Sequence, residues 1–187
     1  GYYHVQKDGA VQASLRIAQQ SVNLRDDDYA GFLLLNTVIG GYFGSRLMSN
    51  IRESKGYTYS INSFNISFPL YSYWCIATDV NREYAEATIE EVRKELRKIQ
   101  TEIIPEEELS LVKNYLYGDL LRDLDGVFAQ SEGLKQKLLY GTDNSFYLQV
   151  IEKIRNCSAR DLLEIANRHL HPDRLYIVTA GEETARK

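Results

Sequence analysis

A glycine-rich turn followed by a short helix decides the fold of this chain. The stretch covers residues 40–60 and reads GGYFGSRLMSNIRESKGYTYS. The glycines before Arg46 predict a tight turn with positive φ angles and close backbone approach. Residues 47–55 predict a short helix that ends at Gly56, because glycine is common just after a helix C-terminus. A turn, a helix and then the start of a strand are therefore expected in that order.

A β-hairpin is predicted directly after Gly56. The large side chains of its first strand occupy one face and then change parity: Tyr57, Tyr59 and Ile61 come first, followed by Phe64, Ile66 and Phe68. A change of parity within a strand predicts a bulge or bend. Pro69 then turns the chain into a second strand over residues 71–78.

Two further strands are predicted towards the ends of the chain. Between Ala10 and Gln20, polar residues alternate with four apolar residues that are expected to face the core: Val11, Ala13, Leu15 and Ile17. Residues 175–179 form a short apolar run that predicts the last strand.

Helical patterns occupy most of the remaining sequence. Three aspartates at positions 26–28 place negative charge at the start of an apolar helix over residues 29–39. Later helices are predicted over residues 85–103, 105–120, 125–140, 146–155 and 158–170, the last with a capping box from Ser158 to Asp161. On the first of these later helices, the charged residues are expected to form a solvated face: Glu86, Glu90, Glu91, Arg93, Lys94 and Glu95.

The strands do not alternate regularly with the helices along the chain. This order predicts an α+β fold, a two-layer sandwich in which a largely antiparallel sheet packs against helices. The length of 187 residues and the absence of a linker, repeat or low-complexity tract predict a single domain over residues 1–187.

Composition excludes several classes of protein. The net charge of −4 and a pI near 5.5 argue against nucleic-acid binding, which needs clustered Lys and Arg. No apolar run approaches the ~18 residues that a membrane span needs, so a soluble protein without membrane insertion is expected. The sequence begins at Gly1 rather than at methionine, which suggests a processed or excised chain and leaves the compartment open between cytoplasm and periplasm.

The sequence does not predict a metal site within this chain. A catalytic zinc site uses three protein ligands, and the histidines here are His4, His169 and His171. The last two point in different directions on a helix, and His4 lies in a terminus that is expected to be frayed. Cys75 and Cys157 are expected to be buried thiols, with a single disulfide as the alternative.

One pair of polar side chains could act on a peptide. Arg52 lies near the end of the short helix and Tyr59, seven residues later, lies in the adjoining strand. A guanidinium and a phenol facing one groove could hydrogen-bond a peptide backbone or a developing oxyanion. The residues alone favour a simpler interpretation, in which Arg52 is a helix C-terminal charge and Tyr59 is a strand-face aromatic.

The stretch over residues 40–60 resembles the second-domain signature of the insulinase-like (pitrilysin-type) zinc metallopeptidases. In that signature a glycine-rich turn and Ser-Arg-Leu precede a helix with Ile-Arg-Glu and a Gly-x-x-Tyr-Ser strand. Pro105 with its acidic first turn and the helix from Ser158 to His171-Pro172 also resemble the family. Tyr57 departs from the pattern, because relatives usually have an aliphatic residue there.

The resemblance implies the C-terminal, non-zinc-binding domain of such an enzyme. In the family a first domain carries the zinc, its H-x-x-E-H motif and the general base, while the second domain closes the chamber over a peptide substrate. By similarity, Arg52 would hold a substrate carbonyl and Tyr59 would hydrogen-bond the scissile carbonyl. Tyr57 is a further candidate for substrate contact. The chain alone is expected to be inactive and to need a zinc-binding N-terminal domain or a partner subunit.

Two alternatives to the peptidase interpretation stay open. The same fold serves as a structural core protein in respiratory complexes, so this chain could be a non-catalytic structural or binding subunit. The presence of both Arg52 and Tyr59 argues against that role, because a structural subunit needs neither. An unrelated α+β interaction module is the other alternative.

Overall fold

The computed structural model describes residues 1–122 and 126–182. Within them, five strands form one sheet in the order β1-β5-β2-β4-β3. The strands are β1 (Tyr2–Gln6), β2 (Gln12–Gln20), β3 (Thr58–Ser67), β4 (Ser72–Asn81) and β5 (Tyr176–Gly181). β1 pairs with β5 in parallel, whereas the other neighbouring strands are antiparallel.

Helices cover one face of this sheet. They are α1 (Tyr29–Asn36), α2 (Ala85–Thr101), α3 (Glu106–Arg122), α4 (Val127–Tyr140), α5 (Asn144–Asn156) and α6 (Ala159–His169). Alternate residues of β2 and β4, among them Ile17 and Trp74, are buried in one apolar core with helix residues such as Phe32 and Leu96. This arrangement confirms the predicted α+β sandwich with a largely antiparallel sheet.

The first strand was not predicted from the sequence. β1 pairs in parallel with β5, the two strands lying at opposite ends of the chain. His4, expected in a frayed terminus, lies in β1, and its Nδ1 is 2.7 Å from Thr179 Oγ1. The prediction was wrong because Tyr2 and Tyr3 are both exposed and give the segment no buried periodicity of its own.

Two details of the predicted strands also need correction. Val11 was expected to face the core, but β2 begins at Gln12 and Val11 is exposed. The bulge in β3 lies between Thr58 and Ile61, before the change of parity in the sequence. Ile61 is consequently buried while Tyr59 is exposed, so these two side chains do not share an environment.

The acidic start of α1 is tied to the end of α6. Asp28 occupies the N-cap position without a capping side-chain hydrogen bond. Its Oδ2 instead lies 2.6 Å from His169 Nε2 and accepts a hydrogen bond from Arg168. Burial raises the pKa of Asp28, but the hydrogen bonds to His169 and Arg168 outweigh burial, and the net shift is below the ordinary value.

The later helices follow their sequence patterns with one exception. The capping box of α6 is present, with Ser158 and Asp161 bonded reciprocally. The predicted solvated face of α2 is wrong at Glu95, which is only 5% exposed and accepts hydrogen bonds from Asn50 and Lys98. The helix predicted from Asp125 is α4, which is described from Val127; Asp125 itself lies outside the described residues.

A helix that spans a membrane needs about 18 or more consecutive, predominantly apolar residues. Across residues 1–122 and 126–182, no helix combines enough length with enough apolar character to cross a bilayer.

Candidate functional site

The candidate site is built on the short helix of the glycine-rich stretch. A π-helical segment, Met48–Ser54, is named the motif helix here. Ile51 anchors it in the core, and it ends as predicted, with Gly56 at a φ of +66°. A left-handed residue at that position lets the chain leave the helix and enter β3.

The glycines before the motif helix serve close packing rather than unusual dihedrals. The predicted positive φ is wrong for this loop, because Gly40, Gly41 and Gly44 all lie outside that region. A Cβ atom on Gly40 would stand 2.9 Å from the backbone nitrogen of Ser63. A Cβ on Gly44 would stand 2.7 Å from the Tyr42 ring. Space therefore requires glycine at position 40, where the clash is with backbone, whereas a side chain at position 44 would require the Tyr42 ring to move.

Two contacts hold the glycine-rich loop against α3. The Tyr42 ring lies over Tyr115, with centroids 4.9 Å apart. Arg46 donates two hydrogen bonds of 2.8 Å to the carboxylate of Glu108. The hydrogen bond to Glu108 raises the pKa of Arg46 despite its partial burial, which keeps the pair ionised. The loop is thus fixed on both sides of Phe43.

Hydrogen bonds also join the motif helix to α2. Asn50 Nδ2 donates to Glu95 Oε1 at 2.8 Å and to Glu91 Oε2 at 3.2 Å. Lys55 Nζ lies 3.6 Å from Glu91. The largely buried carboxylates of α2 therefore orient the helix that carries Arg52.

The fold brings Arg52 and Tyr59 together, as their sequence spacing predicts. The guanidinium carbon of Arg52 lies 5.7 Å from the centroid of the Tyr59 ring. The Tyr59 side chain is 87% exposed, and that of Arg52 is 29% exposed. Both polar groups can therefore be reached by a ligand from the same side of the molecule.

Tyr57 occupies a different environment from Tyr59. Its ring is stacked on Tyr84, with centroids 4.6 Å apart and planes 10° from parallel, and it is partly buried against the core. β3 starts only at Thr58, and the bulge follows directly. The structure thus pairs Tyr59, but not Tyr57, with Arg52 through a ring contact.

Phe43 is part of this site although sequence reasoning did not select it. Its ring centroid lies 4.5 Å from the guanidinium carbon of Arg52, closer than that of Tyr59. Phe43 is 64% exposed, so its ring is accessible to solvent beside the guanidinium. The sequence feature that could have identified Phe43 is an aromatic residue between glycines, shortly before the candidate arginine.

The described residues do not fit a zinc ion. Across residues 1–122 and 126–182, no group of three or more His, Cys, Asp or Glu side chains could hold a metal. His4 and His169 are hydrogen-bonded to Thr179 and Asp28. A zinc ion of a complete enzyme would need ligands from outside this part of the chain.

The cysteines are not positioned for nucleophilic chemistry. Cys75 and Cys157 are both free and buried, as expected from their apolar neighbours. Burial raises the pKa of the Cys157 thiol to about 11 and also raises that of Cys75. Both thiols are therefore almost fully protonated at neutral pH.

The geometry of the site allows hydrogen-bond donation to carbonyl oxygens. A guanidinium offers five N–H donors and a phenol offers one O–H donor. Arg52 and Tyr59 present these donors side by side, with neighbouring rings covering part of the guanidinium. Such a pair can bind an extended backbone and stabilise negative charge that develops on a carbonyl oxygen.

Comparisons with known proteins agree with this description. The sequence profile of the "Peptidase M16 inactive domain" matches residues 1–116. An uncharacterized zinc protease of Rickettsia felis is 30% identical over 139 residues, which cover 72% of this chain and 32% of that protein. The chain therefore spans about a third of the length of that curated relative.

Solved structures share the fold over the whole chain. The peptidase M16 inactive domain from Pseudomonas fluorescens is 26% identical with a TM-score of 0.88, covering 100% of this chain and 44% of that one. A chain of complex III2 from Candida albicans has a TM-score of 0.79 at 18% identity, covering 97% of this chain and 45% of that one, and shows the fold alone.

The profile match includes the complete stretch that carries Arg52 and Tyr59 and extends over more than half of the sequence. It confirms the resemblance to the insulinase-like zinc peptidases that the motif order indicated. This chain belongs to the family of peptidase M16 inactive domains.

Proposed function

We propose that this chain, as a single domain over residues 1–187, is the substrate-binding, chamber-closing part of a zinc metalloendopeptidase that acts on peptides. The observation that carries the proposal is the contact between the partly exposed guanidinium of Arg52 and the exposed Tyr59. The zinc is held by a separate domain or subunit, and this chain is inactive alone. Its partners are that zinc-binding domain and the peptide.

Each member of the pair has a distinct task in this proposal. Arg52 donates hydrogen bonds to a backbone carbonyl of the bound peptide and so fixes its register. The Tyr59 hydroxyl donates to the oxygen of the scissile carbonyl, and this hydrogen bond strengthens as the oxygen gains negative charge. Tyr57 extends the substrate-binding surface from its stacked position on Tyr84.

The name of one relative supports zinc in the complete enzyme. Within residues 1–122 and 126–182, no three or more His, Cys, Asp or Glu side chains are grouped to hold a metal ion. The relative from Rickettsia felis carries the name of a zinc protease. This chain corresponds to about a third of that relative. The remaining length of such a protein is sufficient for a separate zinc-binding domain.

A non-catalytic structural or binding subunit is the competing function. The fold is compatible with it, because one fold can serve unrelated functions. A purely structural subunit, however, has no need for a partly exposed arginine next to an exposed phenol. The two functions differ in whether the site residues affect peptide hydrolysis.

The test is the Tyr59→Phe variant in the complete peptidase, assembled with its zinc-bearing domain. The variant keeps the ring beside Arg52 and removes the hydroxyl donor. We expect kcat for a peptide substrate to fall by about 10²-fold, the scale for loss of one oxyanion donor. Peptide cleavage is followed by the release of fluorescence from an internally quenched substrate.

The matched control is Tyr71→Phe, which removes the hydroxyl of another exposed tyrosine, on the hairpin turn. We expect its kcat to equal that of the unmodified enzyme. Equal rates for the Tyr59 variant and this control would refute the role of Tyr59. Failure of the assembled protein to cleave any peptide would favour the structural subunit.

A further inference from the structure

The guanidinium of Arg52 is held mainly by aromatic rings. Its nearest carboxylate, on the adjacent Glu53, lies 4.0 Å away and is half exposed. An ion pair of that kind contributes little to positioning. The rings of Phe43 and Tyr59 lie within the ~6 Å at which a cation is attracted to an aromatic face, and Phe43 at 4.5 Å is the closer ring.

Backbone and side-chain contacts fix the loop that carries Phe43. The Ser45 N–H donates to the Tyr42 carbonyl oxygen at 3.1 Å, which closes a turn with Phe43 in its first central position. Tyr42 is packed on Tyr115 on one side of the turn. On the other side, Arg46 is bound to Glu108 through two hydrogen bonds. The turn therefore has little freedom to move away from the motif helix.

Burial does not explain an aromatic residue at this position. Phe43 is 64% exposed and does not belong to the apolar core, so it adds little to the hydrophobic stabilisation of the fold. Its ring contact is with Arg52. An exposed ring on a fixed turn, placed over a flexible cation, restricts the rotamers of that cation.

We propose that Phe43 is a positioning residue that holds the Arg52 guanidinium in the orientation that binds a substrate carbonyl. This inference rests on the proposed function of Arg52. Because Arg52 binds the peptide before and during the reaction, its ordering by Phe43 lowers KM and leaves kcat unchanged. Phe43 itself does not touch the reacting atoms.

The first test is steady-state kinetics of Phe43→Leu in the complete peptidase. Leucine keeps the apolar bulk and removes the aromatic face. We expect KM to rise by about two- to five-fold, the range of one exposed cation–π contact, with kcat unchanged. Phe43→Trp, which restores an aromatic face, should return KM to the original value. Phe128→Leu, the same change at an exposed position of α4, is the matched control and should have no effect.

A double-mutant cycle separates a positioning role from a general effect on the loop. Arg52→Ala should by itself raise KM by about ten-fold or more, as expected for loss of a charged hydrogen-bond donor. In that background, Phe43→Leu should cause no further change, because the group that it positions is absent. Equal effects of Phe43→Leu with and without Arg52 would overturn the inference.

A second measurement on the 187-residue chain does not depend on activity. The Nε–Hε proton signal of Arg52 should be shifted upfield by the Phe43 ring current, and Phe43→Leu should remove that part of the shift. An unchanged shift would show that the contact does not exist in solution and would overturn the inference.

The outcomes for the two proposals are distinguishable. If Arg52→Ala cleaves peptides normally, the proposed role of Arg52 fails, and the inference for Phe43 fails with it. If Arg52→Ala is impaired and Phe43→Leu is normal, the role of Arg52 stands and the positioning role of Phe43 is wrong.

Discussion

Asn36 is a buried polar residue that connects the last turn of α1 with the hairpin. Its Oδ1 accepts a hydrogen bond of 2.7 Å from Ser63 Oγ on β3 and another of 2.7 Å from Trp74 Nε1 on β4. All three residues are buried, so neither donor can turn to bulk water instead. The Asn36 side chain therefore fixes the position of α1, and of the glycine-rich loop that follows it, relative to β3 and β4.

Replacing this acceptor should destabilise the fold. Asn36→Leu is close to the original side chain in volume but leaves the Trp74 Nε1–H donor unpaired in the core. Ser63 Oγ keeps only its longer hydrogen bond of 3.3 Å to the backbone carbonyl oxygen of residue 36. We expect the free energy of unfolding to fall by about 1–3 kcal/mol, the cost of one unpaired buried donor. Urea denaturation, followed by the fluorescence of the single tryptophan, measures the change.

The control for this variant is Asn62→Leu, at an exposed position of β3. It should change the unfolding free energy by no more than about 0.5 kcal/mol. Similar losses for both variants would mean that the two hydrogen bonds to Asn36 do not contribute.

At the scale of single elements, α6 shows the start, the end and the buried face that its sequence predicts. The Ser158 side chain accepts from the Asp161 N–H, and Asp161 accepts from the Ser158 N–H at 2.8 Å. Arg168 and His169 lie in the last turn, where positive charge is favourable. Leu162 and Ala166, one turn apart, face the core. These signals are all local, which is why the sequence predicts this helix well.

Loss of the cap should destabilise α6 and with it the domain. We expect Ser158→Ala to lower the free energy of unfolding by about 1 kcal/mol, since it removes the acceptor for an otherwise free N–H group. Ser110→Ala, at an exposed position inside α3, is the control and should be neutral or slightly stabilising. A neutral Ser158 variant would contradict the capping role. Chemical denaturation gives both values.

At the scale of the whole molecule, Asp28 ties together elements that are distant in the sequence. It lies at the start of α1 and binds Arg168 and His169 at the end of α6. Its pKa is lowered overall, because these hydrogen bonds favour the ionised carboxylate more than burial disfavours it. The ionised form therefore stabilises the packing of α1 on α6.

This contact should make stability depend on acidic pH. A carboxylate whose pKa is lower in the folded state stabilises the fold above its ordinary value of 3.8, and this stabilisation is lost as the pH falls through the folded-state pKa. We expect Asp28→Asn to be less stable than the original chain by about 1 kcal/mol at pH 6. The difference should shrink below pH ~4. Urea titrations at both pH values measure it, and a difference that is independent of pH would contradict the role of the carboxylate.

Sequence patterns by themselves determined the order and type of most elements, and they predicted Arg52 and Tyr59 as the two central residues of the candidate site. Periodic burial specified β2, α2 and α6, because the spacing of apolar residues follows directly from strand and helix geometry. The spacing of Arg52 and Tyr59 is local too, since one short helix, one glycine and one strand separate them. Contacts between segments that are close in the sequence can therefore be predicted from the sequence.

Only the tertiary structure decided the features that depend on distant parts of the chain. β1 exists as a strand because β5, more than 170 residues later, offers it a parallel edge. Glu95 is buried because the motif helix brings Asn50 against it, and Phe43 reaches Arg52 because α3 anchors the loop on both sides. The local spacing of apolar residues indicates whether a segment forms a helix or a strand. Which of its other side chains become paired or buried depends on segments that are distant in the sequence, and local spacing carries no information about them.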